Sequence, residues 1–235
     1  LNDWKGGNLK GLTFEIEGVY FVCFRKPTST STILTYPVPP FTTIRGFLAN
    51  ALGWDQDSYY RESRGDSRNL LYDLRIGIEM LAPVEQNSEL AKILKLIPRT
   101  TGYQRSFPSA PMHREFLVKP RYGIYLVGED SVIEEIAEAL KFPERPLYLG
   151  QSDDMLDFTH PRMVEVQETK SDELDSIAEG VHPGCDVLRL PRRFIPEGDG
   201  WSLEYLLVSL PKGGKLKAAT PIQCMRFEEK LVALY

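Results

Sequence analysis

The segment Tyr36-Pro37-Val38-Pro39-Pro40-Phe41 admits few shapes. Each proline fixes φ and drives its predecessor out of the helical region, so the segment is stiff and extended. The chain then changes character. Ile44, Phe47, Leu48, Ala51 and Leu52 recur at helical spacing, which predicts a short helix packed by one face on a core. Thr42 or Thr43 is placed to cap its open N–H groups, and Gly53 stops it. Arg45 falls in the first turn at the edge of the apolar face, where a cation opposes the helix dipole. Two readings follow: an ordinary solvated arginine, or one aimed at an anion beside the helix N-terminus.

On either side the pattern is strand-rich. Leu12, Phe14 and Ile16 alternate with Thr13, Glu15 and Glu17, predicting a strand with one wet face. Val19 to Phe24 is apolar on both sides and predicts a central strand, with Gly18 as a bend. Leu74, Ile76, Ile78 and Met80 alternate with polar residues or glycine, a further amphipathic strand. Ser88 is placed to cap a helix that Pro98 closes. Pro98 to Met112 has no periodicity and reads as a long loop, functional or disordered. Strand pairing resumes near Phe116 and runs to Val127. Asp130 or Ser131 opens a second helix, with Val132, Ile133, Ile136, Ala139 and Leu140 inward. A strand follows near Met163 to Val166, then an acidic linker, Ser171 to Gly184. Strand candidates at Asp186–Ile195, Trp201–Leu210 and Ile222–Leu234 close the chain.

The order β-α-β, insertion, β-α-β predicts an α+β fold. Residues 9–170 form a ferredoxin-like (RRM-like) domain with an insertion near 98–118. A smaller β-rich region covers 184–235. The usual aromatic RNA-binding motifs are missing from the central strands, so base stacking on the sheet face is not expected.

The 235 residues carry a net charge of −5, which argues against a free-standing nucleic-acid binder. The charge is uneven, however. Arg99, Arg105, Arg114, Lys119 and Arg121 face only Glu115 between Pro98 and Tyr122, which permits a basic groove on an acidic body. No apolar run approaches the ~20 residues of a membrane span, and no signal peptide shows. Cys23, Cys185 and Cys224 are scattered and odd in number, as expected of reduced, buried thiols in a cytoplasmic protein. His113, His160 and His182 have no partners at ligand spacing, so neither metal nor cofactor is expected.

Three segments carry a family likeness. Tyr36 to Leu48, followed by Ala51-Leu52-Gly53, resembles the N-terminal signature of the CRISPR-associated Cas-five family. Lys119-Pro120-Arg121-Tyr122-Gly123-Ile124-Tyr125 and Pro146-Leu147-Tyr148-Leu149-Gly150-Gln151-Ser152-Asp153 are similar to two further family segments, in the family's order. The resemblance implies an RNA-binding, non-catalytic subunit of a type I Cascade complex, with the insertion as its "thumb". It would hold the 5′ handle of a mature CRISPR RNA and cap the complex backbone. Its partners would be the CRISPR RNA, the backbone subunit, the large subunit and, through the complex, target DNA.

On that reading Arg25, Lys26, Arg45, Lys119 and Arg121 take phosphates, and Tyr36 and Tyr103 offer stacking. Thr42, Thr43, Arg105 and Arg114 complete the RNA-binding set. Tyr148 is expected in the core. The resemblance also raises an alternative. Some family members cut precursor RNA without metal using a Tyr, a Lys and a neighbouring His, which here would be Tyr36, Lys119 and His113. Lys119 is followed by Pro120 and His113 lies six residues upstream, so the pattern is broken. A third reading is a module that binds only other proteins.

Overall fold

The computed structural model describes residues 9–27, 32–55, 71, 73–94, 109–198 and 200–235. The chain begins with β1 (Leu9–Gly18), the short strands β2 (Phe21–Val22), β3 (Phe24–Arg25), β4 (Thr32–Ile33) and β5 (Thr35–Tyr36), then helix α1 (Phe41–Ala51). Strands β6 (Arg75–Met80), β7 (Glu85–Leu94), β8 (Ser109–Val118) and β9 (Arg121–Val127) follow, then helix α2 (Asp130–Lys141). The remainder is β10 (Leu156–Phe158), β11 (Arg162–Leu174), β12 (Ala178–Glu179), β13 (Cys185–Glu197), β14 (Gly200–Pro211), β15 (Leu216–Phe227) and β16 (Lys230–Val232). This is an α+β fold, mostly strand.

The main sheet runs β16-β15-β11-β1-β9-β6, with every pair antiparallel and β10 added at the end of β1. Alternation along the strands sorts its faces. Leu12, Phe14 and Ile16 of β1, Ile76 and Ile78 of β6, and Tyr122, Ile124 and Leu126 of β9 join the core that both helices cover. From α1 come Ile44, Phe47, Leu48 and Ala51; from α2 come Val132, Ile133, Ile136, Ala137 and Leu140. Phe47 stacks on Phe14 with ring centroids 6.2 Å apart.

Several expectations are corrected. The other face of β6 is not wet: Gly77 and Glu79 are buried too, because β16 and the following residues fold against it. A side chain at 77 would collide with Val232, so glycine permits that approach. The other sheet face thus closes into a second small core of Tyr125, Val127, Val166, Met225, Phe227 and Val232. Segment 171–184 is not a linker. β11 continues through it to Leu174 across a bulge, Asp175 and Ser176 are buried, and β12 follows. Since β15 pairs with β11, the C-terminal strands extend the main sheet, while β12-β14-β13 forms a second one.

The described part of the expected helix at Ser88–Ile97 is strand. β7 pairs with β8 in unbroken antiparallel register from Glu85↔Val118 to Leu94↔Ser109. Ten residues at about 3.3 Å each make an arm roughly 30 Å long. The insertion therefore starts near Glu85. Residues 95–108, including Tyr103 and Arg105, lie outside the described residues. α1 starts at Phe41 with Pro40 as N-cap and no side-chain capping bond, so Thr42 and Thr43 are not caps.

Candidate nucleic-acid interface

The three family-like segments pack against one another. β3 pairs with β5, placing Phe24 opposite Tyr36 and Arg25 opposite Thr35. Thr35 Oγ1 accepts from Phe24 N at 2.9 Å, and Thr35 N donates to Glu115 of β8 at 3.1 Å. Buried Tyr122 donates its hydroxyl to Pro37 O at 2.7 Å, which pins the proline-rich approach to β9. Asn50 of α1 donates to Pro146 O at 2.7 Å, and Cys23 N donates to buried Asp154 at 2.8 Å. Gly150 takes φ +97 against the Cys23 carbonyl, where a Cβ would not fit.

On this frame the candidate cations have distinct fates. Arg25 is exposed. Lys26 is half-buried, with its ammonium 5.4 Å from the centre of the Tyr36 ring. Lys119 is exposed at the turn between β8 and β9 with φ +44, its N–H held by Tyr20 O at 2.9 Å. Arg121 lies 3.2 Å from Glu15 and 3.3 Å from Glu17. Arg114 reaches Asp154 at 3.4 Å.

Arg45 is not an ordinary solvated arginine. It is 2 % exposed and donates to Leu71 O at 2.9 Å, Leu74 O at 3.1 Å and Arg192 O at 2.9 Å. It is a clamp that ties α1 to the chain leading into β6 and to β13. Three carbonyls accept from the guanidinium, as a buried cation needs.

Tyr36 is 6 % exposed, so its ring is not open for a base to stack on. Burial pushes its phenol pKa up; Tyr205 adds to this and Arg189 opposes it. Those two residues escaped the sequence reading. Arg189 of β13 stacks its guanidinium 5.0 Å from the centre of the Tyr205 ring on β14. Some 150 residues separate them from Tyr36, and nothing local marks them. Tyr148, expected in the core, is 42 % exposed.

A family model described as CRISPR-associated protein (Cas_Cas5) matches residues 11–219. The chain belongs to this family. A chain of a structure titled "CRISPR RNA-guided surveillance complex" superposes with a TM-score of 0.59 at 14 % identity, covering 88 % of this chain and 92 % of that one. A CRISPR protein from Archaeoglobus fulgidus gives 0.54 at 13 % identity, covering 95 % and 98 %. These likenesses are of fold. A search of curated proteins finds no match.

For a Cas-five-family chain the cleavage constellation can be tested on geometry. His113 is exposed on β8, level with Thr32 of β4 and Leu90 of β7. Lys119 lies past the end of that extended strand. His113 to Val118 alone spans about 16 Å, so the two side chains point from well-separated stations. Among the described residues no group of three His, Cys, Asp or Glu could hold a metal ion. No described helix is long and apolar enough to cross a membrane.

Proposed function

We propose that this chain is a non-catalytic RNA-binding subunit of a type I CRISPR Cascade complex, working in the cytoplasm. It holds the 5′ handle of the mature CRISPR RNA and caps the backbone. The observation that carries this is the packing of the three family-like segments on one another, with Arg25 exposed beside the Phe24–Tyr36 pairing and Lys119 exposed at the β8–β9 turn. Exposed cations suit a phosphate backbone. The β11-β1-β9-β6 order, with a helix after the first and third of these strands in sequence, supports the ferredoxin-like reading. Its outer face is filled by Tyr125, Phe227 and the Glu79 ion pair, which favours RNA at the corner over RNA on the sheet. The β7–β8 arm supports the thumb reading, a reach towards a backbone subunit. The large subunit and target DNA enter as neighbours in the same complex.

Cleavage is disfavoured because a base, an acid and a cation must converge on one phosphate, and His113 and Lys119 do not. Buried Tyr36, its pKa raised, is neutral at working pH and is no general base. The test is repeat RNA incubated with the full chain in chelator across a salt series. Binding that weakens with salt, with the RNA intact, is expected. A single discrete cut lost in Tyr36→Phe establishes the nuclease, and no salt-sensitive binding leaves the protein-only module.

A further inference from the structure

We propose that the β13–β14 hairpin is a second wall of the RNA site, on which a base stacks against the Arg189 guanidinium backed by Tyr205. This rests on the RNA-binding reading above and extends it to a part of the chain outside the three family-like segments.

The molecule spends most of its observed surface cations on carboxylates. Arg121 meets Glu15 and Glu17, Arg162 meets Glu228, Arg193 meets Glu204, and Lys10 meets Glu134. Arg189 of β13 is exposed and stacks on the Tyr205 ring instead. A ring orients a cation without neutralising it. The hairpin lies close to the Tyr36 corner: Arg45, on the helix that follows Tyr36, bonds Arg192 O on β13, and the Tyr36 hydroxyl feels both Tyr205 and Arg189.

The hairpin is also rigidly placed. β13 and β14 pair along their length, and Arg45 bonds Arg192 O, locking β13 to the helix that begins at the proline-rich approach. Leu207, opposite Arg189 in the ladder, is 42 % exposed, so apolar surface flanks the exposed guanidinium. A flat cation on an aromatic backing, with apolar surface beside it, suits the π-face of an unstacked base; its N–H edge remains available to a phosphate. An acidic peptide would use the charge and leave the plane unused. The favoured occupant is single-stranded RNA, and Tyr205 acts as a positioning residue that keeps Arg189 flat.

The experiment measures affinity and salt slope for a labelled single-stranded RNA of about 12 nucleotides, within the range such sites span. Arg189→Ala is expected to weaken binding about tenfold and to lower the slope by about one. Arg189→Lys keeps the charge and loses the plane, so the slope stays while affinity falls several-fold. Tyr205→Phe binds like wild type, and Tyr205→Leu is weakened. Lys10→Ala, on the α2 side, is unchanged. If Arg189→Ala fails to fold, Arg189→Lys against Tyr205→Phe decides the matter. Wild-type binding that Arg189→Lys, Arg189→Ala and Tyr205→Leu all preserve overturns the hairpin and leaves the RNA reading standing. A wild type that binds no RNA overturns both, and the same holds if it binds only an oligoglutamate peptide.

Discussion

Two regions of this protein place lysine and tyrosine together, one on the outer face of the main sheet and one at the Tyr36 corner. On the outer face of the main sheet, Lys230 lies 2.5 Å from Glu79 and 3.6 Å from Asp175, while Tyr125 donates to the same Glu79. Burial lowers the Lys230 pKa, but the two carboxylates more than offset it and hold the ammonium charged. At the Tyr36 corner Lys26 lies over a ring. The Glu79 carboxylate lets the Lys230 ammonium close the outer sheet face. On the proposed reading RNA is then met at the edge and not on the sheet.

The comparison breaks most visibly through stability. Arg45→Ala leaves two buried carbonyls and a half-buried one without this donor. It should cost about 3 kcal/mol or more in urea unfolding, since each orphaned buried group costs ~1–3 kcal/mol. Had Arg45 been a phosphate contact, stability would be untouched and only the salt slope would fall. Glu79→Ala comes next. Removing it strands Tyr125 and leaves Lys230 only Asp175, and should cost roughly 2–3 kcal/mol, with RNA affinity unchanged. Lost affinity at preserved stability would mean that RNA does use the sheet face.

A smaller effect belongs to pH. Burial pushes the Tyr235 phenol up to about 12 from 10.0, and the Glu179 N–H donates to its oxygen at 2.6 Å. The folded value lies above the unfolded one, so the fold favours the neutral phenol. Its contribution is complete below pH 10 and is lost as pH rises towards 12. Tyr235→Phe should flatten that alkaline slope in denaturation midpoints taken across the window. A slope of unchanged steepness would assign it to other groups. The smallest effect is kinetic: amides in the exposed outer half of the β7–β8 arm should exchange quickly in the isolated chain and slowly in an assembled complex.

The helix faces and the family-like segments were legible because both are local. The spacing of Ile44, Phe47 and Leu48 holds whatever surrounds it. Whether a cation is spent was not legible. Arg121 meets Glu15 and Glu17 only because β1 and β9 pair in one register, with Glu17 opposite Arg121. Arg45 is buried because its acceptors arrive from Leu71, Leu74 and Arg192. β7 lacks its own period of apolar residues, and its ladder to β8 makes it a strand. β11 runs on through Asp172 and Glu173 because exposed residues there carry no inward–outward alternation to read. Arg189 and Tyr205 were invisible for the same reason as Arg45: their neighbour lies far away in sequence.

The proposed function requires that RNA is held at the Tyr36 corner and not at the carboxylate-paired Arg121. The direct measurement is the salt dependence of repeat-RNA binding in the double variant Arg25→Ala/Lys26→Ala, set beside Arg121→Ala. The expected result is a slope about two units shallower in the corner variant, one per lost cation, and a change near zero in Arg121→Ala. A wild-type slope in the corner variant, with the loss appearing in Arg121→Ala, would contradict it.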